Sequence, residues 1–386
     1  MSGTVFPLPP DATIGIVGGG QLGRMSALAA ARLGYRCHIL SPEADCPAAR
    51  VSAGHTCGDY EDRAALEEFA SKVDVITFEF ENVSAAGLEL LAARKPVRPG
   101  VAILRISQDR VAEKAFLNGI GIPTAPWRLV ESLAELQEAS DAVGLPAILK
   151  TTRLGYDGKG QAMLRNAGDL GPGFKRLVPK PLVLEGFVDF SCEISVLVAR
   201  GADGSIACFD PVENRHRDHI LDLTLAPARI PTPTAATAKR IAHDVAEGLG
   251  LVGLLAVEMF VTADNRVLVN EIAPRPHNSG HWTIDACPAS QFELHIRAVA
   301  GLPLPAAQRH SDAVMKNLVG PDEIGMWPKI LATPGLIPHH YGKTEARHGR
   351  KLGHVTRLFP RDALPGPFGI AAALGSLAPP GDGSTL

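Results

Sequence analysis

The segment V-E-M-F-V-T-A-D-N-R-V-L-V-N-E-I-A-P, residues 257–274, decides how this chain folds and what it can hold. Asp264-Asn265 suits a two-residue hairpin turn between two apolar runs, 254–257 and 267–269. With that turn Ala263 faces Arg266, Thr262 faces Val267 and Glu258 faces Glu271 across two antiparallel strands. Opposed side chains share a face at roughly 5 Å between Cβ atoms, where like charges repel. The apolar flanks desolvate the pair, so the pattern predicts a divalent cation that keeps both carboxylates ionised. Oxygen ligands with no Cys or His in the segment point to magnesium. The structural alternative is a solvent-facing hairpin edge with two unrelated glutamates.

On the N-terminal side, residues 13–105 alternate short apolar strands with helical stretches: T-I-G-I-V-G-G, L-G-R-M-S-A-L-A-A-A-R-L-G, R-C-H-I-L-S, A-L-E-E-F-A-S-K-V, V-I-T-F-E-F-E and A-G-L-E-L-L-A-A-R-K. A βαβαβα pattern implies a parallel sheet flanked by helices. Residues 107–120 read as a helix capped by Ser107 and stopped at Gly-Ile-Pro. A strand at 127–130, a helix at 132–143 and a strand ending at Lys150 follow. The glycine-rich 153–161 leads into another short strand, and 170–181 reads as a loop. Antiparallel strands with one helix near 234–249 fill 182–272. Beyond Gly301 a smaller unit contains G-K-T-E-A-R-H-G-R-K-L-G-H-V-T, residues 342–356, read as a hairpin.

At 386 residues the chain is long enough for two to three domains. A net charge of -3, with basic residues scattered, favours neither nucleic acid nor an anionic membrane. The six cysteines form no C-x-x-C pair, which fits a reduced, cytoplasmic protein. The N-terminus lacks a basic, apolar leader, and no run approaches the roughly 20 apolar residues of a membrane span.

Two glycine clusters are candidates for phosphate. Gly18, Gly20 and Gly23 form G-x-G-x-x-G between a strand and a helix. The acid expected about 20 residues on, at the end of the second strand, is missing, since that strand runs into Ser41-Pro42 before Glu43. The turn therefore suits a phosphate ester at a helix N-terminus as well as a dinucleotide, with a purely structural turn as the third reading. Gly155, Gly158 and Gly160 in G-Y-D-G-K-G-Q follow the strand ending at Lys150 and suit a mobile lid over triphosphate oxygens, or an unliganded turn. Glu185 and Glu193 end or begin apolar strands, where acids can meet a nucleoside or merely solvent. Arg275, His277, Asn278, Ser279 and His281 crowd into P-R-P-H-N-S-G-H-W-T immediately after Glu271, a polar density that points to chemistry.

Taken together, Arg110, Lys150, G-Y-D-G-K-G-Q, Glu185, Glu193, Glu258 and Asn270-Glu271 resemble the ATP-grasp superfamily. G-G-G-Q-L-G-R-M, Q-D-R, P-T-A-P-W, A-P-R-P-H-N-S-G-H-W-T, Q-F-E-L-H and G-R-K-L-G-H narrow the resemblance to the 5-(carboxyamino)imidazole ribonucleotide synthase family of purine biosynthesis, over about 13–365. The resemblance implies a mixed α/β and α+β chain. It would have a Rossmann-like N-terminal domain (1–106), an ATP-grasp domain of two α+β subdomains (107–181 and 182–300) and a small β-rich C-terminal domain (301–386).

It assigns ATP to Arg110, Lys150, Gly155, Tyr156, Asp157, Gly158, Lys159, Gly160, Gln161, Glu185, Gly186, Phe187, Val188, Glu193, His216, Asn270 and Glu271, and magnesium to Glu258 and Glu271. Gln21, Leu22, Glu79, Tyr156, Asp157, Asn278, Ser279, Arg350 and Lys351 would meet 5-aminoimidazole ribonucleotide. Arg275 and His277 would lie at the bicarbonate end, with His277 relaying a proton or only orienting. Glu79 is preferred to Glu81 for substrate, although the two share a strand face at i, i+2. A homodimer is expected. The rival readings are another ATP-grasp ligase, such as formate-dependent glycinamide ribonucleotide transformylase, and an NAD-dependent oxidoreductase built on the first glycine turn.

Overall fold

The computed structural model of the chain describes residues 4–155 and 160–378. Among them the strands form three sheets. The first is parallel, in the order β3-β2-β1-β4, from β1 (Thr13–Val17), β2 (Arg36–Ser41), β3 (Gly54–Cys57) and β4 (Val75–Phe78). The helices Gln21–Arg32, Arg63–Ser71 and Ala85–Ala92 fall where the sequence predicts them. Strand β3 escapes the sequence reading because G-H-T-C carries no apolar alternation.

The expected helix over 107–120 is two helices, Val101–Gln108 and Arg110–Gly119. Asp109 makes the break, accepting from the amides of Val111 and Ala112 at 2.9 and 3.2 Å. Ser107 is therefore not the cap; it lies inside the first helix and donates back to the Leu104 carbonyl. The second sheet, antiparallel β5-β8-β6-β7, comprises β5 (Trp127–Val130), β6 (Ala147–Thr151), β7 (Gln161–Leu164) and β8 (Leu182–Gly186). The stretch predicted as a loop at 170–181 contains the helix Leu170–Leu177. Pro172 falls in its first turn, where no intrahelical bond is lost, and Leu170, Gly173 and Leu177 are buried on one face.

The third sheet carries β9 (Phe190–Arg200), β10 (Ile206–Cys208), β11 (Val212–Arg217), β12 (Ile220–Ala226), β13 (Gly253–Thr262), β14 (Val267–Ala273), β15 (Asp312–Val319), β16 (Leu336–His340) and β17 (Lys351–Phe359). Its order is β14-β13-β9-β11-β12-β15-β17-β16, with β10 on β9. The small C-terminal unit thus has no sheet of its own, because β15 pairs with β12 and extends the same sheet. The hairpin read into 342–356 also shifts: β16 pairs with β17, and 341–350 is the connection between them. The helix Thr232–Gly248 covers one face of β9 and β13, with Ile241 and Val245 buried against Val196 and Val257. The helix Gln291–Ala300 packs toward the parallel sheet, Ile296 and Val299 lying in one core with Ile14 and Ile39. No helix among the described residues is long and apolar enough to cross a membrane.

Candidate active site

Turn geometry places the two hairpin carboxylates. Thr262 pairs with Arg266, not with Val267: its amide donates to the Arg266 carbonyl at 3.0 Å, and Asn265 takes a left-handed φ of 63°. Val261 then faces Val267 and Met259 faces Val269, one residue off the predicted register. A bulge between Glu258 and Met259 absorbs Asn270 and restores the pairing, so Glu258 does face Glu271. The bulge also breaks the alternation of β14, leaving both Asn270 and Glu271 partly accessible.

Each carboxylate has a nitrogen donor of the protein beside it. Glu258 Oε1 lies 2.8 Å from His277 Nε2, and Glu271 Oε2 lies 3.3 Å from Arg110 Nη1. Burial alone would raise the Glu258 carboxyl, but His277, then His216 and Lys351, pull it down to about 2. A divalent ion is thus not needed to keep Glu258 ionised, contrary to the argument from sequence.

Next to Glu271, the helix Arg110–Gly119 brings Arg110, Glu113 and Lys114 onto one face at i, i+3, i+4. Lys114 Nζ and Lys150 Nζ flank Glu185 Oε2 at 3.2 and 3.0 Å, all three side chains nearly enclosed. Burial lowers the Lys150 amine, opposed by Glu185. Glu113 accepts from the Ile272 amide at 3.0 Å, while its Oε1 is buried without a partner. Burial, with Glu271 adding to it, lifts this carboxyl to about 8, so it is neutral at pH 7. Lys114 and Glu113 were missed from sequence, although the E-K pair stands in register with Arg110. His216 pairs with Glu193 through Nδ1. Burial disfavours its charge, yet Glu193 and then Glu258 raise it overall.

Gly155 contributes its carbonyl to Arg110 Nη2 at 2.8 Å, and Gly160, at a φ of 69°, returns the chain to β7. Gln161 is paired with Lys150 across β7 and β6. Tyr156, Asp157, Gly158 and Lys159 lie outside the described residues. Gly186 ends β8, Phe187 is exposed and Val188 is half-buried.

The first glycine turn holds a carboxylate of the protein itself. Glu79 accepts from the amides of Gly20 and Gly23 at 2.6 and 2.9 Å. A Cβ on Gly18 or Gly20 would meet Glu79 atoms at 2.4 or 2.5 Å, so glycine is what lets the side chain in. The phosphate ester or dinucleotide expected at these amides has its place taken by Glu79, a correction that removes the basis of the oxidoreductase reading. Gln21 opens the helix, and the Leu22 side chain packs inward against Met25, Phe292 and Tyr341. Glu81 goes elsewhere, to Arg275 Nε. Toward Glu79 comes the C-terminal connection: burial and Arg350 depress the Lys343 amine to about 8, Glu79 opposes them, and Lys351 adds to the depression. Lys343 Nζ donates to the Lys351 carbonyl, and Arg350 Nη1 to that of Glu345. Lys343, also missed, lies in the same basic stretch.

Beyond β14, Gln291 fixes the backbone of His277 from both sides, accepting from its amide at 2.8 Å and donating to its carbonyl at 2.7 Å. Any Cβ on Gly280 would meet Leu197 at 2.2 Å and Gln291 at 2.7 Å. Asn278 and Ser279 are buried, Asn278 bonding to Asn317 and Ser279 to Ser195. Arg275 is held in place, with Nε on Glu81 and Nη1 on the Pro276 carbonyl. Arg110, Glu113, Glu271, Arg275 and His277 line one cavity of about 80 Å³.

This arrangement has close counterparts. Models of the ATP-grasp domain, the ribonucleotide synthetase preATP-grasp domain and the phosphoribosylaminoimidazole carboxylase C-terminal domain match residues 115–292, 11–108 and 313–363. The N5-carboxyaminoimidazole ribonucleotide synthase of Brucella melitensis is 52% identical, the match covering 92% of this chain and 98% of the relative. The chain belongs to the N5-carboxyaminoimidazole ribonucleotide synthase family. The Bacillus subtilis synthase is 42% identical over 90% of this chain and 91% of its own. An ADP complex of an N5-carboxyaminoimidazole ribonucleotide synthetase superposes with a TM-score of 0.91 at 40% identity, covering 98% of each chain. The synthase of Aspergillus clavatus, in complex with ADP and 5-aminoimidazole ribonucleotide, does so at 0.88 and 31% identity, over 95% of this chain and 97% of that one.

Proposed function

We propose that this chain uses ATP and bicarbonate to carboxylate the exocyclic amine of 5-aminoimidazole ribonucleotide, releasing ADP and phosphate. The observation that carries the reading is the shared cavity: Arg110, suited to a nucleotide phosphate, and Arg275 and His277, suited to a small acid, face it together with Glu271. Phosphoryl transfer from ATP to bicarbonate gives carboxyphosphate. The amine nitrogen then attacks its carbon, phosphate leaves with the C–O bonding pair, and the nitrogen loses a proton.

Arg110 and Lys150 hold phosphate oxygens and offset the charge that builds on the leaving ADP. Glu185 opposes the effect of burial on the Lys150 amine and aims it. Arg275, steadied by Glu81, orients the acid. Arg350 and Lys351, with Lys343, take the ribonucleotide phosphate.

Magnesium belongs to this reading. The residues fit it: two carboxylates face each other on the bulged hairpin, partly accessible, with the Asn270 carboxamide beside them and only oxygen donors in the set. When bound, the ion neutralises charge on the phosphates. A homodimer working in the cytoplasm completes the proposal.

Carbon-13 bicarbonate tests it. With ATP and 5-aminoimidazole ribonucleotide present, NMR should show a labelled carbamate carbon that vanishes when either is withheld. Label in no product, with ATP consumed, would contradict it.

A further inference from the structure

His277 is tied at both ring nitrogens. Nε2 faces Glu258 Oε1 at 2.8 Å. Nδ1 lies 2.9 Å from Ser279 Oγ and 3.4 Å from the Ser279 backbone nitrogen. Behind Ser279 a file of buried polar groups crosses the sheet. Ser195 Oγ on β9 lies 2.6 Å from Ser279 Oγ, Asn214 Nδ2 on β11 lies 3.0 Å from Ser195 Oγ, and Thr224 Oγ1 on β12 lies 3.1 Å from Asn214 Oδ1. Ser195, Ser279 and Thr224 are 0% exposed and Asn214 is 5% exposed.

The hydrogens along this file can be counted. The Asn214 amide nitrogen only donates, so Ser195 Oγ accepts there and spends its own hydrogen on Ser279 Oγ. Ser279 Oγ, having accepted, spends its hydrogen on Nδ1. The Ser279 backbone N–H, which also only donates, points at the same atom. Nδ1 must then be the bare nitrogen, and the neutral ring carries its hydrogen on Nε2, toward Glu258.

We propose that Ser195 and Asn214 are positioning residues for the carboxylation: through Ser279 they hold His277 as the Nε2–H tautomer, so that the ring donates its hydrogen bond to Glu258. Neither residue touches the cavity itself. The consequence for turnover rests on the proposed function; the state of the ring does not.

A file that merely knits β9, β11 and β12 together predicts nothing about the ring, which gives the test its edge. The full chain, labelled with nitrogen-15 histidine and free of substrates, is read by two-bond proton–nitrogen correlation, the His277 signal being assigned by its loss in His277→Gln. Wild type should show the Nε2–H pattern. In Asn214→Asp the carboxylate offers no hydrogen, so both serine hydroxyls turn round and Nδ1 keeps only the longer 3.4 Å backbone donor against a hydroxyl oxygen at 2.9 Å that now accepts. The pattern should switch to Nδ1–H, with kcat down on the order of tenfold and the KM for ATP unmoved. Ser195→Ala should give a mixture of tautomers, and Ser195→Thr, which keeps the hydroxyl, should restore the wild-type pattern and kcat. An Nδ1–H pattern in wild type, or the wild-type pattern persisting in both Asn214→Asp and Ser195→Ala, overturns the proposal. Should Asn214→Asp fail to fold, Ser195→Ala decides: a mixture supports the relay, and an unchanged pattern refutes it. A chain with the expected tautomers but no carboxylation would contradict the function and leave the relay standing.

Discussion

Glu258 lies opposite Glu271, although Thr262, nearer the turn, lies opposite Arg266; β14 therefore contains one residue, Asn270, with no counterpart on β13. Were Asn270 paired in a regular ladder, it would stand opposite Glu258 and Glu271 would point to the other face of the sheet, because a one-residue slip exchanges the faces of a strand. The bulge is thus what brings the two acids opposite each other with a carboxamide beside them.

Removing either carboxylate tests their pairing with the proposed ion. Glu271→Gln and Glu258→Gln should each lower kcat/KM roughly 100-fold or more at saturating magnesium, the scale of a lost transition-state contact. Stability should not rise in either, since nitrogen donors of the protein already meet both carboxylates. Glu258→Gln should lose about 1–2 kcal/mol in urea unfolding because His277 loses its charged partner. Turnover within a few fold of wild type would remove these residues from the site.

Lys150→Met should nearly abolish ATP-dependent turnover, yet the variant should fold, as Lys114 still meets Glu185. Single-turnover ADP formation measures this. Normal ADP formation would show that Lys150 is no phosphate clamp.

Arg350→Ala should raise the KM for 5-aminoimidazole ribonucleotide by about 10 to 100-fold, the worth of a charge-assisted contact, and leave the KM for ATP in place. Steady-state kinetics at two salt concentrations separate this from a diffuse field, which would weaken both ligands and fade with salt. Equal shifts in both constants would detach the C-terminal connection from the substrate pocket.

Glu113 makes a prediction about pH. Its carboxyl sits at about 8 in the fold against 4.5 when unperturbed. Folding therefore takes up a proton between those values, and stability falls as pH rises from 4.5 to 8, then levels off. Glu113→Gln keeps the shape without the titration. Urea unfolding should show the variant gaining on wild type by roughly 1–3 kcal/mol between pH 5 and pH 8.5. A constant difference across that range would mean Glu113 is already ionised in the fold.

How far the sequence could be read follows from what each feature depends on. Glu258 opposite Glu271 was legible, but for an incomplete reason: a turn one residue longer than predicted and a bulge cancel, and neither has a strong local signature. The basic stretch around Arg350 and the cluster after Glu271 were legible as polar density in an apolar context. Lys114 was not, because its burial depends on Glu185, about 70 residues away, supplying the opposite charge. Glu79 in the glycine turn was hidden for the same reason, since G-x-G-x-x-G offers amides to any anion and only the tertiary fold decides which one arrives. The helix Leu170–Leu177 was obscured by a proline and two glycines that count against a helix unless their positions within it are known.

The central claim is that nucleotide cleavage and carboxyl transfer occur in one cavity on one set of residues. ADP release, measured with 5-aminoimidazole ribonucleotide and bicarbonate supplied separately and together, tests it most directly. The account predicts rapid release only with both present, matched mole for mole by carboxylated product. ADP released at the same rate without either co-substrate, or release unaccompanied by product, would contradict it.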